Sequence, residues 1–456
     1  MTKSKKFFGT DGMRGRANKF PMTAKMAMKM AMATAVTLRE HNGAESQKRV
    51  IIGKDTRLSG YMIEQAMAAG FISMGIDVIF LGPLPTPAVS MLTRSLRADI
   101  GVMISASHNP YEDNGIKLFG ADGYKLSDDL EVNIEELIDQ NLDDHLAGPS
   151  DMGKASRLDD AQGRYIEFVK ASIPNRQTLS GLKVVVDCAH GAAYKVAPKV
   201  LWELEADVIA IGAQPNGTNI NAGFGATDTK ALQDAVVEHG ADIGVALDGD
   251  ADRLIMVDEA GHVVDGDQLL ASLAVSLQEQ GLLSQDCVVA TVMSNLGLER
   301  FLDDMDIDLI RTGVGDRYVM EAMRAGDFNL GGEQSGHIIL SDYARTGDGL
   351  LAALQVLLTM KEHGTPASVC LKMFDTVPQL LKNVTYDRTV NILENQDVLD
   401  AIEKAQARLA NDGRLLVRPS GTEPVIRVMA EGDDNGLVES VVNDLCQTIE
   451  KCGKAV

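Results

Sequence analysis

The chain has 456 residues, with 65 acidic against 43 basic side chains and a formal charge of -22, a balance that repels polyanions and excludes nucleic acid or an anionic membrane surface as the expected partner. Any phosphate site therefore has to be built locally. Hydrophobic residues at 45% and charged residues at 24% describe a globular protein rather than a disordered one, and the length implies several domains rather than one core.

In chain order, the first element is a Met-rich run over 23–38. Its alternating methionines imitate a strand, but Ala, Lys and Leu favour helix and Met is a common core filler, so it reads as a helix buried on one side. Lys3, Lys5 and Lys6 followed by Ala31-Met32-Ala33 imitate a secretory signal. The polar Gly9-Thr10-Asp11-Gly12 and the charges of Arg14, Arg16, Lys25 and Lys29 interrupt it, and nowhere do eighteen apolar residues run together. Five scattered cysteines (Cys188, Cys287, Cys370, Cys446 and Cys452) form no C-x-x-C pair, which suits a reducing compartment. A cytoplasmic, unprocessed protein is the expectation.

Short β-branched runs then alternate with longer Ala/Leu-rich amphipathic ones, the pattern of α/β domains with largely parallel sheets. Strands are expected over 50–53, 78–81, 100–104, 184–187, 208–211, 243–247, 288–292 and 309–311. The segment Ala98-Asp99-Ile100-Gly101-Val102 recurs letter for letter as Ala241-Asp242-Ile243-Gly244-Val245. Each copy closes a strand-helix-strand-helix-strand series and runs into a polar loop. A third series starts at Cys287-Val288 and ends at Phe328-Asn329-Leu330. In parallel sheets ligand loops lie beyond the carboxyl ends of strands, so three series present three loops toward one central cleft. The expected spans are 1–153, 154–258 and 259–374 for three similar α/β domains with mixed, largely parallel sheets. A smaller α+β domain over 375–456 follows, with strands at 382–386, 415–417 and 425–431 and helices over 398–409 and 437–451.

Four loops carry chemistry. Ile104-Ser105-Ala106-Ser107-His108-Asn109-Pro110 is a tight turn that exposes a serine; taken alone it is as readily structural, but a phosphorylated serine there is a phosphoryl donor that needs metal and positive charge rather than a triad. His108 stands beside it to orient or protonate. Asp248-Gly249-Asp250-Ala251-Asp252-Arg253 sets three carboxylates at alternate positions, which an extended strand end would aim into one space. Like charges so placed want a cation, and hard oxygens suit Mg²⁺. An EF-hand loop is the rival reading, and Arg253 at its glycine position defeats it. A solvated acidic turn stays open. Gly332-Glu333-Gln334-Ser335-Gly336-His337 suits close approach to a polyhydroxylated ligand. Arg418-Pro419-Ser420-Gly421-Thr422-Glu423-Pro424, with Arg427 nearby, is either a phosphate cradle without metal or a decorated turn.

Taken in order, these four loops resemble those of the α-D-phosphohexomutase superfamily: a phosphoserine loop, a D-G-D-x-D-R metal loop, a G-E-x-S-G-H sugar loop and a C-terminal phosphate loop. The resemblance spans Phe8 to the last helix. The spellings Phe8-Gly9-Thr10-Asp11-Gly12-Met13-Arg14-Gly15, Gln334 after Glu333, Gly313-Val314-Gly315-Asp316-Arg317-Tyr318 and the fourth loop are similar to the branch acting on glucosamine phosphates. Glucose or mannose phosphate is the alternative.

The resemblance implies that glucosamine 6-phosphate and glucosamine 1-phosphate are interconverted through a phosphoserine enzyme and a bound bisphosphate, in the service of amino-sugar nucleotide and cell-envelope precursor synthesis. It implies Ser107 as phosphoryl carrier, and Mg²⁺ held by Asp248, Asp250, Asp252 and a phosphoserine oxygen. Arg14 and Arg253 stand nearby, and Lys117 in Asn114-Gly115-Ile116-Lys117 is the general acid/base, with a pKa expected to be depressed by the cation and an arginine. His108 and His337 are second candidates for proton transfer. Glu333, Ser335 and His337 then face the sugar, while Arg418, Ser420, Gly421, Thr422 and Arg427 hold the phosphate that is not reacting. A homodimer is compatible with this reading.

Overall fold

The computed structural model describes residues 5–9, 11–42, 49–174, 176–387, 391–410, 412–420 and 424–453. The chain forms two compact units, one of Met1–Thr291 with Ile310–Lys372 and the other of Val292–Leu309 with Met373–Val456. Among the described residues no helix is long and apolar enough to cross a membrane.

The first unit holds three sheets. The first contains β1 (Phe8–Gly9), β2 (Gly12–Arg16), β3 (Arg49–Lys54), β4 (Asp77–Pro83), β5 (Ile100–Ile104), β6 (Asp113–Gly120) and β7 (Ala155–Arg157), in the order β1-β2-β6-β5-β3-β4-β7. The second contains β8 (Lys183–Asp187), β9 (Asp207–Ile211), β10 (Ile243–Leu247), β11 (Leu254–Asp258) and β12 (Val263–Val264), in the order β12-β11-β10-β8-β9. The third contains β13 (Cys287–Thr291), β14 (Asp308–Thr312), β15 (Leu330–Gly332) and β16 (Ile338–Leu340), in the order β14-β13-β15-β16, with residues 310–312 of β14 in this unit.

All eight strands expected from β-branched runs are present. Most of them sit in parallel pairing with both faces covered, and β5, β10 and β13 are buried throughout, which is why they read as unbroken apolar runs. The series repeats in space as well as in sequence, since β5-β3-β4, β10-β8-β9 and β15-β13-β14 have the same order. In each, the last parallel strand turns straight back into an antiparallel neighbour: β5 into β6, β10 into β11, β15 into β16. The serine, acidic and G-E-Q-S-G-H loops occupy those three equivalent turns. The third strand begins at Leu330, two residues later than the sequence reading placed it.

The five-letter repeat has a physical cause. Asp99 accepts the Arg49 amide at 2.8 Å, and Asp242 accepts the Lys183 amide at 2.7 Å, so each aspartate ties the start of its strand to the parallel neighbour. A Cβ on Gly101 would lie 2.1 Å from Thr93 Oγ1, and one on Gly244 would lie 2.7 Å from Val236. Only glycine lets the covering helix, Thr86–Ser95 or Lys230–His239, lie so close to the strand.

The second unit is an antiparallel sheet of β17 (Gln379–Thr385), β18 (Gly413–Pro419) and β19 (Val425–Gly432), in the order β17-β19-β18. Helices Gln396–Leu409 and Asn435–Cys452 cover it around Val398, Ile426, Val428, Val441 and Leu445. Asn395 and Asp434 cap these helices by accepting the amides of Asp397 and Leu437. The tail thus has the α+β pattern expected of it.

Candidate active site

The serine loop follows β5. Ser107 is buried and has φ of +50°, a left-handed conformation that costs a non-glycine residue on the order of 1 kcal/mol and persists only where its surroundings enforce it. They do so here from several sides. The Ser107 amide donates to Ser105 Oγ at 2.9 Å, and Ser105 Oγ donates to Asp55 at 2.7 Å. Arg57, with no exposed surface, pairs with Asp55 at 2.8 Å and donates to the carbonyls of Ser107 (2.8 Å), Asn109 (2.8 Å), Asp113 (3.1 Å) and Pro110. Asn221 adds a bond to the Ser107 carbonyl at 2.9 Å. Burial raises the pKa of Asp55 despite Arg57.

The side chain so fixed points into the acidic loop. Ser107 Oγ donates to Asp248 Oδ2 at 2.5 Å and lies 3.3 Å from His108 Nδ1. The three carboxylates do converge, with one oxygen from each of Asp248, Asp250 and Asp252 within 4.8 Å of the others. An extended strand end is not the cause. The loop is a turn closed by the Ala251 amide on the Asp248 carbonyl at 3.0 Å, with Ala251 at φ of +57°. All three carboxylates are buried, and among the described residues Asp250 Oδ1 and Asp252 Oδ1 have no hydrogen-bond partner. A cluster of hard, unsatisfied oxygens beside a serine hydroxyl fits a divalent cation that prefers oxygen.

The electrostatics agree. Burial, then Asp252 and Asp250, push Asp248 up to about 8, since three ionised carboxylates in one dry space repel. Asp252 stays well below its usual value because Lys117, then His337, outweigh its burial.

Lys117 corrects the sequence reading. Its ammonium is buried among Asp11 (3.0 Å), Asp250 (2.9 Å) and Asp252 (3.0 Å), and these carboxylates, Asp11 foremost, outweigh burial and hold its pKa well above the ordinary value instead of below it. Arg14 pairs with Asp11, has a buried Nε with no partner among the described residues and is likewise raised, its carboxylates overcoming burial. His108 moves the other way. Burial, Arg253 and Arg14 lower it to about 4, so it is a neutral ring that can accept but does not carry charge at pH 7. Arg253 is half-buried, and its amide donates to Asp248 at 3.3 Å.

At the third loop, Glu333 accepts the Gly315 amide at 3.1 Å and the Ser335 hydroxyl at 3.4 Å. His337 is buried, with Nδ1 at 3.7 Å from Asp252 and Nε2 at 3.4 Å from Asp316. The Gly347 amide also approaches Nε2, at 3.2 Å, and only one of the two can be served at a time. Burial opposes the charge, but Asp316, then Asp252, raise the pKa of His337 to about 9, so the imidazolium facing Asp316 prevails at pH 7.

In the second unit, Arg418 and Arg427 face each other across the β18–β19 ladder, half-buried, each with a buried Nε that has no partner among the described residues. Burial and then the charge of Arg427 lower the pKa of Arg418. Like charges directly opposed in a sheet are destabilising, and an anion relieves them. The Ser420 amide donates to the Val425 carbonyl at 2.9 Å. Gly421 and Thr422 lie outside the described residues.

Sequence reasoning overlooked Asp55, Arg57 and Asn221 beneath Ser107, and Lys125, Asp316 and the side chain of Asp11 beside Lys117. Residue type gives no signal for these. Asp55-Thr56-Arg57 reads as an ordinary turn until the fold brings it under the serine.

The chain matches Phosphoglucomutase/phosphomannomutase alpha/beta/alpha domain I over residues 5–144, domain II over 163–261, domain III over 265–377 and the C-terminal domain over 381–448. It belongs to this family of phosphohexomutases and is by class an intramolecular phosphotransferase. Within the family its curated relatives include the phosphoglucosamine mutase of Azorhizobium caulinodans, 60% identical over 448 residues, which cover 98% of this chain and 99% of that protein. Among solved structures, a phosphoglucomutase/phosphomannomutase family protein from Burkholderia thailandensis superposes with a TM-score of 0.80 at 22% identity, over 97% of each chain. Aspergillus fumigatus N-acetylphosphoglucosamine mutase in complex with GlcNAc-6P and magnesium superposes with a TM-score of 0.68 at 18% identity, over 99% of this chain and 96% of that one.

Proposed function

We propose that the chain interconverts glucosamine 6-phosphate and glucosamine 1-phosphate with Ser107 as the phosphoryl carrier, in the cytoplasm, for amino-sugar nucleotide and cell-envelope precursor synthesis. The observation that carries this reading is the Ser107 hydroxyl, held in a left-handed turn 2.5 Å from Asp248 within the buried acidic triplet. Spans 1–153, 154–258, 259–374 and 375–456 act as carrier, metal, sugar and phosphate domains.

Phosphorylated Ser107 gives its phosphoryl group to the free O1 or O6 hydroxyl of the sugar phosphate, forming a bisphosphate and free Ser107. The bisphosphate reverses in the site and returns its other phosphoryl group to Ser107. The net change moves phosphate between O6 and O1 with no gain or loss of atoms. Asp248, Asp250, Asp252 and a phosphoserine oxygen would hold Mg²⁺, which when bound supplies electrostatic stabilisation of the charge that develops during transfer. In each half-reaction a proton passes from the attacking sugar hydroxyl to Ser107 Oγ or back, and Lys117 relays it, its ammonium stabilising charge on the transferring oxygens. Arg14 and Arg253 add positive charge there. Glu333, Ser335 and His337 bind hydroxyls common to both sugar orientations, and Arg418, Ser420, Gly421, Thr422 and Arg427 hold the phosphate at rest.

Intact-mass measurement of wild type and Ser107→Ala, before and after incubation with a hexosamine bisphosphate, tests the reading. Wild type should gain one phosphoryl group and Ser107→Ala none. Equal labelling of both would place the carrier elsewhere.

A further inference from the structure

The motif Gly313-Val314-Gly315-Asp316-Arg317 has no task in the reaction as written. Its aspartate opens the helix Asp316–Gly326 and meets two nitrogens: Lys125 Nζ at 2.5 Å and His337 Nε2 at 3.4 Å. Each leads toward the transfer centre. Lys125 also pairs with Asp11, which pairs with Lys117 at 3.0 Å, which pairs with Asp252 at 3.0 Å. His337 reaches the same Asp252 at 3.7 Å. Asp252, Lys117, Asp11, Lys125, Asp316 and His337 thus form a closed ring in which carboxylates alternate with nitrogen donors, and Asp316 lies outside the acidic triplet, two contacts from Asp252 through His337 and four through Lys125, Asp11 and Lys117.

We propose that Asp316 is a positioning residue for phosphoryl transfer: by holding Lys125 and His337 it keeps Asp11 free to orient Lys117 and Asp252 free to bind a divalent cation. Without its charge, Lys125 has Asp11 as its remaining carboxylate and competes with Lys117 for it. His337, with Asp252 as its nearest remaining carboxylate, draws on the oxygens that a cation requires. Both changes fall on the transfer centre although Asp316 itself touches neither Ser107 nor the triplet. Lys125 and Asp316 each keep 12% side-chain exposure and line a cavity of about 460 Å³, so a neutral residue there does not strand Lys125 in a dry core, and buried His337 keeps Asp252 within 3.7 Å.

This inference rests on the reading of the triplet as a cation site, and the test separates the two. Mn²⁺ binding to the full chain is followed by electron paramagnetic resonance, alongside kcat and KM for glucosamine 6-phosphate and the melting temperature, in wild type, Asp316→Asn and Asp316→Glu. Asp316→Asn should weaken Mn²⁺ binding about tenfold or more and lower kcat by a similar factor, with KM nearly unchanged. Asp316→Glu, which keeps the charge, should recover most of both. A merely structural aspartate would lower the melting temperature and leave Mn²⁺ affinity alone. Should Asp316→Asn not fold, Lys125→Met opens the ring from the other side and is held to the same expectations. Wild-type Mn²⁺ affinity and kcat in the neutral variant, or a Glu variant as impaired as the Asn one, overturns the proposal. Failure of wild type to bind Mn²⁺ removes the cation reading as well.

Discussion

Arg57 donates to the carbonyl of Ser107 at 2.8 Å, and its other bonds go to Asp55 and to the carbonyls of Asn109, Pro110 and Asp113. One planar guanidinium therefore gathers the loop that holds the serine in its left-handed conformation. Lysine keeps the charge but not the fork. Arg57→Lys should cost about 1–3 kcal/mol through unpaired buried carbonyls. Arg57→Met should cost about 3–5 kcal/mol because Asp55 is left as an unpaired buried charge. Urea unfolding gives the first readout and the rate of Ser107 phosphorylation the second. A lysine variant equal to wild type in both would show that the loop holds itself.

The acidic triplet is costly when empty. Lys117 neutralises Asp250 and Asp252 in part, whereas among the described residues the Asp248 carboxylate has the Ser107 hydroxyl and the Arg253 amide as its hydrogen-bond partners. Asp248, pushed up to about 8, carries its charge only above that pH when no cation is bound, and there Asp248→Asn removes one of three crowded like charges. In chelator above pH 8 it should therefore raise the melting temperature, while abolishing both activity and the further rise that Mg²⁺ gives wild type. Calorimetric scans with and without Mg²⁺ check this. A destabilised Asn variant in chelator would mean that the three carboxylates are not in mutual repulsion.

What could be read from the sequence follows from where chemistry and packing coincide. Strands β3, β5, β8, β10 and β13 were legible because parallel strands buried on both faces must be continuously apolar. Strand β6 was not, since Asn114 and Lys117 are buried polar residues, the lysine facing the acidic triplet, and they break the pattern. Ser107 and the three aspartates stand out because their chemistry is concentrated in a few adjacent letters. Arg57, Lys125 and Asp316 act through partners distant in sequence, which only the fold brings into contact. The raised pKa of Lys117 was hidden for the same reason: Asp11 is the leading cause and lies on the loop between β1 and β2.

Two buried aspartates outside the triplet set a pH dependence of stability. Asp187 accepts the amides of Ala189 and Gly225, Asp348 accepts the Tyr165 hydroxyl at 2.9 Å, and burial pushes each up to about 6. The folded protein then holds these protons more tightly than the unfolded chain does. Their contribution to stability is therefore greatest below pH 4, falls as pH rises toward 6 and is flat above, by on the order of 3 kcal/mol for each group. Asp348→Asn removes one titration. The difference in melting temperature between pH 4.5 and pH 7 should accordingly shift in favour of pH 7 relative to wild type. Parallel profiles for the two proteins would show that Asp348 does not titrate in this range.

The opposed pair Arg418 and Arg427 sets stability against binding. Because directly opposite like charges weaken a β ladder by a few tenths to about 1 kcal/mol, replacing one of them with an uncharged residue of similar length should strengthen the C-terminal unit. The same change takes away half of the positive charge that we assign to the phosphate at rest. Arg418→Met is thus expected to raise the melting temperature slightly or leave it unchanged, while KM for glucosamine 6-phosphate rises about tenfold to a hundredfold, the loss of one charge-assisted pair. Because bound phosphate relieves the repulsion, adding inorganic phosphate should stabilise wild type more than the variant. Steady-state kinetics and thermal shifts in a phosphate series give both quantities. A variant with wild-type KM and an equal thermal response would take the anion away from this pair and leave the two arginines as an uncompensated strain in the sheet.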